Sequence, residues 1–132
     1  MPTYDRRELA AIFAGGMVGA VTRTWVAGEL AAPAGSWPWA TFAVNLAGAF
    51  ILGYVVTRLS ERLPTSAYKR PFLGTGLCGA LTTFSTVQLE LLRMVDARRF
   101  GLAAAYCLAT GAAALVAVWL ATALARRVRV VL

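Results

Sequence analysis

The stretch GTGLCGALTTFSTVQLE, residues 74–90, decides how this chain is read. It lies in a run without charge from Pro71 to Leu89, long enough as a helix to cross a hydrocarbon core of about 30 Å. Yet it is rich in helix breakers and hydroxyls. Gly74, Gly76 and Gly79 loosen the helix, and Thr82, Thr83, Ser85 and Thr86 surround Phe84 with hydroxyl groups. Lipid tolerates such polarity at its centre only where the polar groups are paired or line a wet cavity. A helix broken at that depth also turns free carbonyls toward an ion. The stretch therefore predicts an ion pathway and a third membrane helix that is discontinuous near Gly79–Thr83.

The rest of the chain supports a membrane setting. It has 132 residues, 59% of them hydrophobic, and a mean hydropathy of +0.66. A soluble domain of this size cannot bury so much apolar surface. Pro38–Thr57 and Phe100–Ala125 carry no charge, and Leu9–Gly28 carries only Arg23. The expected fold is all-α and integral to the membrane: a single domain, residues 1–132, with spans at about 9–28, 39–58, 71–93 and 100–125. The loop at 29–37 is rich in Ala, Pro and Gly, and Trp37 and Trp39 at its end suit an interfacial belt. Pro64 marks a turn in the next loop. Gly15, Gly16, Gly19 and Ala20 predict close helix contact in the first span, and Gly111 predicts the same in the fourth.

A net charge of +7 could suggest nucleic acid, but its placement argues against it. The basic residues flank the apolar spans, where lipid headgroups lie, and no soluble basic domain is left to present a patch. Nine of them fall on the side shared by both termini and the 59–70 loop: Arg6, Arg7, Arg58, Arg62, Lys69, Arg70, Arg126, Arg127 and Arg129. Three fall on the other side: Arg93, Arg98 and Arg99. That excess places both termini in the cytoplasm. Two acids and two arginines before the first span argue against a cleaved signal. Cys78 and Cys107 lie inside spans and read as small apolar fillers, and histidine is absent.

Several residues are candidates for the pathway. Asn45 is the lone amide of the second span; its two N–H donors suit a dehydrated anion, and a helix–helix hydrogen bond is the equal alternative. A single membrane hydroxyl usually bonds back to its own helix, but four within residues 82–86 beside a break favour a lined route. The ring of Phe84 has a positive edge that can solvate a small anion. Arg23 either snorkels to the interface or raises the local anion concentration. Glu90 reads as an i,i+3 partner of Arg93, or as a vestibule carboxylate.

Three pieces carry a resemblance over nearly the whole chain: GGMVGAVTR at 15–23, the Pro38-x-x-Thr41-x-x-x-Asn45-x-x-Gly48 run, and GLCGALTTFST at 76–86 followed by Glu90. Together they resemble the Fluc (CrcB-type) fluoride channels. The resemblance implies an antiparallel dimer of four-helix subunits in the bacterial plasma membrane, of dual topology, passively exporting cytoplasmic fluoride. It also implies a structural sodium ion on the backbone carbonyls of Gly79 and Thr82. Asn45, Thr83, Phe84, Ser85, Thr86 and Val87 would line the fluoride route, and Arg23 matches the family's first-span arginine. The chain departs from the pattern at Val87, where a second phenylalanine is usual, and at Ala40, where glycine is usual. Its basic bias of nine to three also departs from what a dual-topology subunit needs, so homodimer and heterodimer with a related subunit both stay open. A small proton-coupled exporter is the alternative from another class, and a non-conducting partner subunit is a third. No enzyme chemistry is needed for any of them.

Overall fold

A computed structural model describes residues 5–61 and 68–128. Arg62, Pro64 and Arg129 lie outside the described residues. Among the described residues every regular element is helical. The elements are α1 (Arg6–Glu29), α2 (Trp39–Glu61), α3 (Pro71–Cys78, π-wound, continuing α-helically over Gly79–Leu81), α4 (Phe84–Asp96) and α5 (Phe100–Arg127). Among these, α1, α2 and α5 are each long and apolar enough to cross a membrane. The fold is that of a multi-pass helical membrane protein.

Local chemistry sets the helix ends. Asp5 caps α1, accepting a hydrogen bond from the Arg7 N–H at 2.9 Å, and Glu8 adds negative charge to the first turn. Pro38 precedes α2 and accepts its first helical bond, from the Phe42 N–H at 3.0 Å. The turn between α4 and α5 is tight, with Arg98 in the left-handed region at φ 57 and the Arg99 N–H bonded to the Met94 carbonyl at 2.8 Å. Arg126 pairs with Glu61 at 2.8 Å and ties the ends of α5 and α2 at the molecule's surface.

The third helical stretch differs most from a regular span. Its first eight residues are π-wound, and the helix stops at Leu81. Thr82 (φ −79, ψ 151) and Thr83 (φ −147, ψ 120) are extended, and α4 restarts at Phe84. Glycines let α3 lie directly against α1. A Cβ on Gly76 would come within 2.5 Å of the Ile12 carbonyl, and one on Gly15 would overlap the Phe72 carbonyl. Backbone therefore meets backbone there, as small residues in membrane helices allow. Gly16 is looser, with the Gly76 carbonyl 3.9 Å from a Cβ position. At Gly111 a Cβ would meet nothing within 4 Å of its own chain, so no close contact within the subunit uses it.

The helices pair as α1 with α3, α2 with α5, and α4 with α5. Gly53 lets α2 approach Val118 of α5, and the Thr57 and Thr122 hydroxyls meet at 3.4 Å on the same seam. A buried core joins Val87 and Met94 of α4 to Ala103 and Tyr106 of α5, with Trp37 and Phe42 packed against it. Large apolar side chains on α1, such as Phe13, Met17, Val21 and Trp25, face outward at four-residue spacing. That stripe suits contact with lipid, since hydrocarbon is no worse a neighbour than another side chain.

Candidate functional site: a polar break on a cavity wall

The interruption at Thr82 and Thr83 leaves backbone groups that a continuous helix would pair. Asn45 of α2 takes up two of them. Its Nδ2 donates to the Thr83 carbonyl at 3.0 Å, and its Oδ1 accepts from the Thr83 N–H at 2.8 Å. A side-chain amide matches a peptide group in both directions, so a single asparagine substitutes for two helical bonds. The Thr83 N–H is thereby drawn away from the Gly79 carbonyl, its partner four residues back in a regular helix.

The hydroxyls divide into three roles. Thr82 bonds back to the Cys78 carbonyl at 2.8 Å and rests its methyl group against Gly48. Thr83 caps α4, accepting from the Thr86 N–H at 3.2 Å, and it bonds the Thr86 hydroxyl at 2.9 Å. Ser85 lies 3.3 Å from the Thr83 hydroxyl. Thr83, Ser85 and Thr86 therefore form one short polar chain at the start of α4, beside the positive end of the helix dipole.

Phe84 opens α4 and is 76% exposed. It forms part of the wall of a cavity of about 950 Å³, with Asn45, Thr83, Val87, Cys107 and Thr110. Gly79 and Thr82 line the same cavity. The structure thus brings Asn45, Gly79, Thr82, Thr83, Phe84 and Val87 to one wall, with Ser85 and Thr86 joined through Thr83. Val87 only borders it: the side chain is 7% exposed and belongs to the α4–α5 core. Arg23 is half-buried in α1, and its Nε is buried without a hydrogen-bond partner among the described residues.

Glu90 behaves differently from the i,i+3 expectation. Its two oxygens accept from the Thr41 hydroxyl at 2.7 Å and the Tyr106 hydroxyl at 2.9 Å. Neither bond involves Arg93, because α4 turns Glu90 inward between α2 and α5, where two neutral donors wait. The carboxylate thereby joins three helices.

Sequence reasoning passed over Tyr106 and Thr110 and used Thr41 only as a motif letter. Signals were present. Thr41 precedes Asn45 by four residues, and Thr110 follows Tyr106 by four, so each pair shares a helix face. What no spacing could show is that the α2 and α5 faces converge on Glu90.

Fold and site together define a multi-pass membrane protein of helices with a polar helix break on the wall of an open-sided cavity. A family model described as "CrcB-like protein, Camphor Resistance (CrcB)" matches residues 10–122, and the chain belongs to that family. It is 58% identical over 130 residues to a protein named "Fluoride-specific ion channel FluC 1" from Mycolicibacterium paratuberculosis, covering 98% of each chain. A relative of the same name from Mycobacterium bovis is 55% identical, again over 98% of each. Another from Streptomyces coelicolor is 40% identical, over 91% of this chain and 78% of that one.

Proposed function

We propose that the protein is a fluoride-selective channel of the bacterial plasma membrane that lets cytoplasmic fluoride leak out. One structural observation carries the reading. Uncharged donors of Asn45 and Thr83 lie beside an outward-facing Phe84 on the cavity wall, with the Ser85 and Thr86 hydroxyls joined to them through Thr83. Fixed donors can replace the tight water shell of a small anion at little reorganisation, while a positive ring edge holds it weakly enough to leave. The names of relatives at 58% and 55% identity support the same ion. Fluoride accumulates when HF crosses a membrane and ionises in a more alkaline cytoplasm, so a passive pore is enough to release it.

In this reading α3 and α4 form one discontinuous span, and two subunits meet antiparallel across the cavity wall, either two copies or this chain with a related subunit. A structural sodium ion fits the break. The Gly79 carbonyl has lost the Thr83 N–H, the Thr82 carbonyl lies in extended backbone, and both residues border the cavity. A small hard cation suits such carbonyl oxygens and would supply charge that ties the subunits together. Among the described residues no acidic, cysteine or histidine cluster offers a competing metal site. Val87 in place of an aromatic ring favours one second reading, a subunit that conducts only beside a related partner.

The test is efflux from liposomes carrying this chain alone, loaded with sodium fluoride or sodium chloride. Fluoride should leave far faster than chloride. Comparable loss of both ions sinks the proposal. No loss of either, repaired by adding a related subunit, selects the second reading.

A further inference from the structure

Glu90 raises a problem for an anion route on this side of the break. Its carboxylate repels anions and already occupies the hydroxyls of Thr41 and Tyr106. An anion passing that point needs another donor. Thr41 lies one turn, about 6 Å, beyond Asn45 along α2, toward the α2 start. Just before that start stands Trp37, whose ring packs edge-on against Tyr106 at 5.4 Å and Phe42 at 5.5 Å. Its indole N–H is buried and has no hydrogen-bond partner among the described residues.

A buried N–H donor without a partner costs about 1–3 kcal/mol. Tryptophans at a membrane surface ordinarily avoid this by turning the N–H to the headgroup region. Trp39, two residues on, is 57% exposed and free to do so. Trp37 is instead held by ring contacts with Phe42 and with Tyr106, whose hydroxyl bonds Glu90, and its N–H is buried among them.

We propose that the Trp37 indole N–H is the outermost donor of the fluoride route, binding the ion as it passes between the Glu90 cluster and the membrane surface. The inference rests on the fluoride-channel reading and adds to it a subsite for a small dehydrated anion. The aromatic surround of Trp37 excludes water, which strengthens a single N–H···anion bond. The site is shallow because one donor holds the ion, so it passes fluoride on rather than trapping it.

Two measurements test this on the full chain in lipid. Trp37→Phe removes the N–H and keeps an aromatic ring; it should slow fluoride efflux about tenfold, the factor that one hydrogen bond to a charged group carries. Trp39→Phe should stay within twofold of the unaltered chain. Independently of any variant at Trp37, its indole 15N–1H resonance is assigned by elimination, using Trp25→Phe, Trp39→Phe and Trp119→Phe. That resonance should move on titration with sodium fluoride and stay in place with sodium chloride. A Trp37 resonance indifferent to fluoride, in a preparation that conducts fluoride selectively, overturns this inference and leaves the channel reading intact. Absence of fluoride-selective flux from the unaltered chain, with or without a related subunit, overturns both.

Discussion

Asn45 supports the helix break and, on the fluoride-channel reading, also lines the route, and substitution separates the two roles. Its carbonyl holds the Thr83 N–H, and its amide group holds the Thr83 carbonyl while keeping a second N–H. Asn45→Asp retains the first bond, loses the second and adds a negative charge on the cavity wall. Fluoride efflux should fall more than tenfold, as expected when a fixed like charge faces a partly desolvated anion. Unimpaired flux would remove Asn45 from the pathway. Asn45→Ala leaves both Thr83 groups without partners at about 1–3 kcal/mol each, so it should also lower the thermal unfolding midpoint in detergent. Comparing the two variants separates the pathway role from support of the break.

At the scale of elements, the seam between α1 and α3 is the most constrained contact in the fold. Gly76 meets the Ile12 carbonyl and the Gly15 backbone, neither of which can yield as a flexible side chain would. Gly76→Ala should therefore destabilise by about 1–3 kcal/mol or more, the range seen when a packed core is overfilled. Gly101→Ala is the control: a Cβ there meets nothing, and alanine stabilises an exposed helix position by about 1 kcal/mol. Thermal unfolding of the two variants checks the pair. Equal midpoints would mean that the α1–α3 contact is looser than these backbone distances require. The break itself is an element-level device. Proline opens α3, π-winding widens it, and the Thr83 cap restarts α4, so the interruption is bounded on both sides by ordinary helix signals.

At the scale of the whole molecule, Gly79 is the informative residue. A Cβ at Gly79 meets nothing within 4 Å of its own chain, so Gly79→Ala should leave the subunit folded. If a partner and a sodium ion sit against it, the same substitution should reduce the dimer fraction on size exclusion and slow fluoride flux. Replacing sodium with a large organic cation should do likewise in the unaltered protein. A Gly79→Ala protein that dimerises and conducts normally would count against a cation site at Gly79 and Thr82. Orientation belongs to this scale too. Nine basic residues on one side against three on the other should hold the C-terminus in the cytoplasm, read by reporters active on one side only. Equal signals on both sides would show that the charge count does not control insertion.

Much of this protein can be read from its letters. Long uncharged runs must be helices in lipid, because no other local structure pairs every backbone group there; hence the positions of α1, α2 and α5 were legible. Glycine and hydroxyl density marked the region where α3 ends and α4 begins, since both weaken the same local bonding. Tertiary structure decided what those groups do. Asn45 binds the Thr83 backbone because α2 crosses the break at that height, and Glu90 abandons Arg93 because two other helices bring it hydroxyls. Gly111 borders the cavity rather than another helix of its own chain, a matter of which side of α5 its neighbours take. Helix formation depends on residues three and four apart, which the sequence displays. Partner choice depends on contacts such as Asn45 with Thr83, 38 residues apart, which only the packed chain brings together.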